Sequence, residues 1–255
     1  MPLTFAHPAA VLPFSRKSMY INFLALVLGS MSPDFEYFLH GKPHSVYGHT
    51  FSGFILFNLP LVIIVYFLYK ACIHRALITH LPSIFQDHST PKVSANILVK
   101  SIVFLYSALL GMLTHVVWDS FTHIGGYVVL KLPFLTYTVS MLNLNIPIYK
   151  FLQHGSTMVG IILIIGYMYI RTKRNGGIRD ERIKPIQKCM YWGQITVLTF
   201  LLFCLWYVID EVSIQAYGII VVRIIDSALI SLLIVSLFFN HVIRKNAKLN
   251  IAHYK

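Results

Sequence analysis

The sequence predicts an all-α, polytopic membrane bundle with five full spans plus an N-terminal segment that is either re-entrant or a sixth helix. Three observations predict it. The 255 residues are 56% hydrophobic and only 12% charged, about half the roughly 25% charged residues of a soluble domain. Five apolar runs reach or approach the roughly 20 residues that a spanning helix needs. The basic residues sit at the flanks of those runs rather than on one compact soluble module.

In chain order the runs are Phe51–Tyr69, Ile97–Trp118, Thr157–Ile170, Tyr191–Ile209 and Tyr217–Asn240. The third is short unless it starts near Phe151. Ser18–Leu39 is the sixth segment, but Pro33, Asp34 and Glu36 leave it only a short apolar stretch. Arg16 and Lys17 before Ile21–Leu28, with Gly29-Ser30-Met31-Ser32 after it, imitate a signal peptide. The apolar segment before Arg16 argues against cleavage.

Charge orients the spans. Arg171, Lys173, Arg174, Arg179, Arg182, Lys184 and Lys188 crowd one loop, which is therefore expected in the cytoplasm. The tail, with Arg244, Lys245, Lys248 and Lys255, returns to that side, as does the loop Lys70–Lys100. Asp210-Glu211 and the Ser120–His154 connection then face outward. The net charge of +12 is accounted for by this asymmetry, so no nucleic-acid partner is expected. Cys72, Cys189 and Cys204 show no CxxC spacing and no framework.

The expected organisation is a single membrane domain, 1–255. Ten of the twelve histidines lie between His7 and His154. Residues 1–156 therefore read as the half that carries chemistry and 157–255 as anchoring helices. In the last span Arg223 and Asp226 stand at i, i+3, the spacing of an internal ion pair. His40 and His44 read as loop residues. His74, His80 and His88 read as solvated.

Ionisable groups at membrane depth are costly and are usually paired, hydrated or bound to an ion. His115-Val-Val-Trp-Asp119-Ser-Phe-Thr-His123 closes the second long run. In a helix His115 and Asp119 project from one face, and His123 follows at the same spacing. Imidazole with carboxylate suits Zn²⁺, and also Mn²⁺ or Fe²⁺. A capped or internally paired His–Asp couple is the plainer alternative. Ser32-Pro33-Asp34-Phe35-Glu36 also has two readings: a helix start with Ser32 as N-cap and Pro33 at N1, or two carboxylates at the membrane surface. Gly48-His49-Thr50 opens the Phe51 run at the outer side, where Asp34 and Asp119 also fall. His7 and His154 stand at further segment ends. No G-x-S-x-G elbow and no phosphate-binding or dinucleotide glycine loop is present.

Several motifs in order resemble one family. They are Met1-Pro-Leu-Thr-Phe-Ala-His7-Pro-Ala-Ala-Val-Leu-Pro13, Gly29-Ser-Met-Ser-Pro-Asp34-Phe-Glu36-Tyr-Phe38, Gly48-His49-Thr50, Thr114-His115-Val-Val-Trp-Asp119-Ser-Phe-Thr-His123, and Tyr149-Lys-Phe-Leu-Gln-His154-Gly-Ser156. Over about two-thirds of its length the chain resembles an uncharacterised group of bacterial membrane proteins, domain of unknown function 4184. That group is more distantly similar to membrane-bound metal-dependent hydrolases and to zinc-dependent phospholipase C-like proteins.

The resemblance implies a divalent-metal site, zinc first, with Mn or Fe as alternatives. Its ligands would be His7, Asp34, His49, His115 and Asp119, with Glu36 or His123 as base or supporting group. Glu36 stands where the relatives have a second Asp. Tyr47-Gly48-His49-Thr50 replaces the fuller His-Arg-Gly-x-Thr-His form. The implied activity is hydrolysis of a phosphoester or lipid-linked substrate, in a multi-pass protein of the bacterial inner membrane with a cytoplasmic C-terminus. The rival is a non-enzymatic transporter or structural membrane protein whose polar residues cap helices and line a cavity.

Two structural expectations follow. A ligating His commonly donates its other ring N–H to a carboxylate or carbonyl, so Glu36 or Gln153 should stand within hydrogen-bond range of a ligand histidine. If Ser18–Leu39 simply spans, His7 and Asp34 fall on opposite sides. A short hairpin, Pro8–Phe14 inward and Met19–Gly29 outward, puts them at the same end, and the ligand pattern favours the hairpin.

Overall fold

The computed structural model describes residues 3–14, 16, 18–87, 96–141, 144–175 and 183–253. The chain is a mostly helical polytopic membrane protein. Five helical stretches have the length and apolar character to cross a membrane: Phe51–His80, Ile97–Lys131, Ile148–Arg174, Pro185–Ile209 and Tyr217–His241. Each contains one predicted apolar run. The third run begins at Ile148, ahead of Phe151, which resolves its shortness.

The fold divides into two compact units. The first comprises Met1–Glu36, Ser45–Ile64 and Thr90–Ile170; the second comprises Tyr37–His44, Val65–Ser89 and Arg171–Lys255.

The first unit opens with a 3₁₀ helix, Thr4–Val11, followed by α1 (Phe23–Met31), a 3₁₀ turn (Ser32–Asp34) and the start of α2 (Phe35–His40). Next come the beginning of the span Phe51–His80 (α3), the long helix α4 (Ile97–Thr122), and the short helix α5 (Tyr127–Lys131). An antiparallel pair, β1 (Thr138–Met141) and β2 (Leu144–Pro147), precedes α6 (Ile148–Arg174). This small pair is the one departure from an all-helical chain among the described residues. Three of the helices start on side-chain caps. Asn22, Thr50 and Asn96 accept from the backbone N–H of Ala25 (3.1 Å), Gly53 (3.0 Å) and Val99 (2.8 Å), satisfying donors that helix starts leave open.

α1 lies along α4 on a seam of small residues. A Cβ at Gly29 would collide with the carbonyl of Ala108, and one at Gly111 with the carbonyl of Leu26. Lipid tails give helices no hydrophobic reason to associate, so close backbone approach through small residues supplies the attraction. The position of the seam matters for function. Gly111 lies one turn before His115, and Gly29 lies five residues before Asp34, so the crossing carries both side chains to one place.

The N-terminus is folded back. The Thr4 hydroxyl donates to Asp34 Oδ2 at 2.6 Å, and the Thr4–Val11 helix packs on both α1 and α4. His7 and Asp34 therefore share an end, as the hairpin requires. Its arms are Thr4–Val11 and Phe23–Met31 rather than 8–14 and 19–29. Both fall well short of the roughly 30 Å hydrocarbon core at about 1.5–2 Å per residue. Arg16 rests 5.1 Å above the Phe23 ring; Lys17 lies outside the described residues.

The second unit contains the later part of α3, then α7 (Pro185–Ile209) and α8 (Tyr217–His253). Its core is Ala76, Tyr191, Ile195 and Val235, flanked by Leu77, Leu198, Leu232 and Phe239. Two sequence expectations are corrected here. His80 is not solvated: it is buried, stacked on Tyr191 at 4.6 Å and edge-on to Phe239 at 4.8 Å. Its Nδ1 donates to the Ala76 carbonyl at 2.7 Å, inside an aromatic cluster. Arg223 pairs with Asp210 at the end of α7, through the carboxylate and the backbone carbonyl. The Arg223–Asp226 pairing gives way because the guanidinium reaches an acceptor that also offers a carbonyl. Asp226 Oδ2 is left buried without a hydrogen-bond partner. His88 lies outside the described residues.

Candidate metal centre

All seven predicted site residues belong to the first unit. Asp34, His49, His115 and Asp119 each present one ligand atom to a common point, these atoms lying within 4.8 Å of one another. His115 Nε2 is 3.2 Å from Asp119 Oδ2 and 3.6 Å from Asp34 Oδ1. His49 Nε2 is 3.6 Å from Asp119 Oδ2 and 3.7 Å from Asp34 Oδ1. Ligands about 2.0–2.2 Å from a tetrahedral ion stand about 3.3–3.6 Å apart, close to these four His–Asp separations.

Hydrogen bonds around the cluster orient its histidine rings. His115 Nδ1 donates to the Ser30 carbonyl at 2.8 Å. In the neutral ring Nε2 then carries a lone pair, facing two carboxylate oxygens deep in the protein. His115 Nε2, Asp34 Oδ1 and Asp119 Oδ1 are all buried without a hydrogen-bond partner. Unpartnered buried acceptors are costly. A cation in the cluster would satisfy His115 Nε2 and Asp34 Oδ1, and the two His and two Asp are a donor set that a divalent metal accepts. The residues present fit such an ion.

His49 is held by a relay. Its Nδ1 lies 3.3 Å from Ser45 Oγ, whose own proton goes to Glu36 Oε2 at 2.8 Å. The Ser45 hydroxyl therefore accepts from the imidazole N–H, and Nε2 is turned to the cluster. Glu36 is thus linked to a candidate ligand histidine through Ser45. Its oxygens also accept from the backbone N–H of Val46 (2.9 Å), Tyr47 (2.9 Å) and Gly48 (2.8 Å). Burial alone would raise the Glu36 pKa. The donors at Val46, Gly48, Ser45 and Tyr47 outweigh it and hold the carboxyl down to about 2. The loop that carries His49 is consequently wrapped round a fixed negative charge. Gly48 lets it close: a Cβ there would collide with the Pro33 carbonyl, and the Gly48 carbonyl accepts from Asn58 Nδ2 at 2.7 Å.

Asp34 reaches the cluster from the 3₁₀ turn Ser32–Asp34. Ser32 does not cap a helix with its side chain; its hydroxyl donates to the Gly29 carbonyl at 3.1 Å. The segment joins α1 to α2, with Asp34 bonded to Thr4 and Glu36 to Ser45.

His7 flanks the group of four. Its ring stacks on His115 with centroids 3.8 Å apart, and Nε2 is 3.6 Å from Asp119 Oδ1. Both its nitrogens are buried without a hydrogen-bond partner. His123 Nδ1 lies 3.6 Å from the same Asp119 oxygen and 3.2 Å from the Asp119 carbonyl. The side chains of Asp34 and His115 are at most 1% exposed, against 31% for His49 and His123. The centre opens on the His49 and His123 side. Gln153 is buried, and its backbone carbonyl accepts from Thr157 at 2.9 Å.

Four contributors escape a reading of the sequence: Thr4 on Asp34, the Ser30 carbonyl on His115, Ser45 on His49, and Trp118, which meets the His7 ring edge-on at 5.6 Å. Thr4 left a signal, since residues three apart in a 3₁₀ helix eclipse one another and His7 follows at that spacing. Ser45 left none.

The chain belongs to the family described as Domain of unknown function (DUF4184), whose family model matches residues 1–237. The match runs beyond the motif-bearing two-thirds, through α7 and into α8. No curated protein and no solved structure matches the chain. The four-residue cluster is consistent with the more distant likeness to metal-dependent hydrolases.

Proposed function

We propose that this protein is a membrane-embedded, metal-dependent hydrolase of a phosphoester or lipid-linked substrate. The observation that carries the proposal is the convergence of Asp34, His49, His115 and Asp119, in which His115 Nε2 and Asp34 Oδ1 are buried without a hydrogen-bond partner. When bound, a divalent ion, zinc first and Mn or Fe as alternatives, supplies Lewis-acid activation of a phosphoryl oxygen and of water.

The chain's own residues do the rest. Asp34 and His115 form the rigid inner wall, fixed by Thr4 and by the Ser30 carbonyl. Asp119 offers Oδ2 to the cluster and Oδ1 toward His7 and His123. His7 completes the packing behind His115 and would add an imidazole beside the ligand set. Hydrolysis joins a water oxygen to phosphorus and breaks the ester P–O bond, and the departing alcohol gains a proton. His123, partly exposed beside Asp119, would take the proton that the attacking water loses and deliver it to that alcohol. Glu36 acts by positioning: its lone pairs are engaged by the His49 loop, which suits it to orient a ligand rather than to accept a proton. Helices beyond residue 156 serve as anchor. The location is the bacterial inner membrane, with the C-terminus in the cytoplasm.

The test is hydrolysis of detergent-dispersed dipalmitoyl phosphatidic acid by the purified zinc-loaded chain. Wild type should hydrolyse it, and Asp119→Asn should fall to background. Equal rates in the two proteins, or a zinc-loaded wild type without turnover, would favour the non-enzymatic reading.

A further inference from the structure

The first unit carries an apolar groove of about 620 Å³ between α4 and the beginning of α6, a size typical of ligand sites. Leu113, Val117 and Trp118 form one wall, and Phe151, Leu152 and Gly155 the other. No charged side chain lines it. Leu113, Val117 and Leu152 are 53%, 53% and 41% exposed on helices of spanning length. Hydrocarbon is the medium that meets such faces.

The groove adjoins the metal centre at Trp118. The Trp118 indole N–H donates to Ser156 Oγ at 3.1 Å, tying the two walls together. The same ring meets His7 edge-on at 5.6 Å, and the next residue along α4 is Asp119. One indole therefore separates an apolar channel from a cluster suited to a phosphoester.

We infer that the α4–α6 groove seats one acyl chain of a membrane phospholipid whose phosphoester lies at the Asp34–His49–His115–Asp119 cluster. The inference rests on the hydrolase reading and makes that groove the element that selects substrate. A soluble phosphoester lacks the chain that fills it. Apolar burial in the groove would hold the phosphate at the centre without any charged headgroup contact.

Gly155 gives the means to test this. A Cβ there meets nothing within 4 Å, so a larger side chain can grow into the groove without displacing backbone. The experiment uses the full chain in lipid nanodiscs with a phosphatidic acid bearing a diazirine near one acyl end. Photolabelling should concentrate on the peptides containing Val117 and Leu152, and dipalmitoyl phosphatidic acid, not glycerol phosphate, should compete. Gly155→Trp should lower that labelling about tenfold, the equivalent of roughly two buried methylenes. Gly155→Leu should lower it less, and both variants should retain the wild-type zinc content. Labelling spread evenly over all spans, or equal in wild type and both zinc-retaining variants, overturns the inference. Failure of the hydrolase reading looks different: zinc or turnover is absent in wild type while groove labelling persists.

Discussion

Replacing Glu36 by Gln changes one atom of a buried side chain and should loosen a ligand two contacts away. Oε2 takes the Ser45 hydroxyl and the N–H groups of Tyr47 and Gly48 at 2.8–2.9 Å, and Oε1 takes Val46 N–H at 2.9 Å. An amide has one oxygen. With that oxygen in the Oε2 position, its NH₂ faces Val46 N–H, donor against donor. One buried unsatisfied group costs about 1–3 kcal/mol, and the three surviving bonds lose charge assistance, roughly halving each. The expected destabilisation is about 3–7 kcal/mol. The same change slackens the Ser45 hold on His49, and loss of such a supporting contact typically lowers metal affinity roughly 10–100-fold. Ser45→Ala should reproduce the affinity loss with less effect on stability. The assays are thermal unfolding of the detergent-solubilised chain and zinc titration against a competing chelator. A Glu36→Gln protein that unfolds and binds zinc like wild type refutes the positioning role.

Further outcomes follow from the same contacts. Gly111→Val should destabilise the protein by about 1–3 kcal/mol or more through collision with the Leu26 carbonyl, whereas Gly125→Ala, whose Cβ meets nothing within 4 Å, should stay within about 0.5 kcal/mol in the same melts. Thr4→Val removes the donor to Asp34 Oδ2 and should weaken zinc binding in the chelator titration while Thr4→Ser preserves it. A single cysteine at Gly125, in a chain whose own cysteines are replaced, should react with an impermeant maleimide added outside the cell; reaction only after the membrane is opened would invert the charge-derived orientation.

Local patterns were legible in the sequence. Five apolar runs gave five membrane-length helices because lipid forces backbone polar groups to be satisfied within each segment. His115 and Asp119 were legible as a pair because helical spacing alone puts them on one face. Contacts between distant segments were harder. Ser45 and His49 are four residues apart, but their arrangement depends on Glu36 gathering the loop, nine to twelve residues from its partners. Asp34 read equally well as a helix-start acid until Thr4 and the Gly29–Gly111 seam fixed its surroundings. His80 and Arg223 read as a solvated residue and a local ion pair because charge pattern cannot show that Tyr191 covers the one or that Asp210 reaches the other. The β1–β2 pair lies in a connection with no alternating apolar pattern strong enough to announce it.

The most direct measurement is zinc-edge X-ray absorption on the purified full chain, alongside an Asp119→Ala variant. Wild type should hold about one equivalent of metal with a nitrogen and oxygen shell at about 2.0–2.2 Å and an imidazole scattering pattern, and the variant should lose it. A sulfur shell near 2.3 Å, which Cys72, Cys189 or Cys204 would supply, or no stoichiometric metal at all, would contradict the His₂Asp₂ centre.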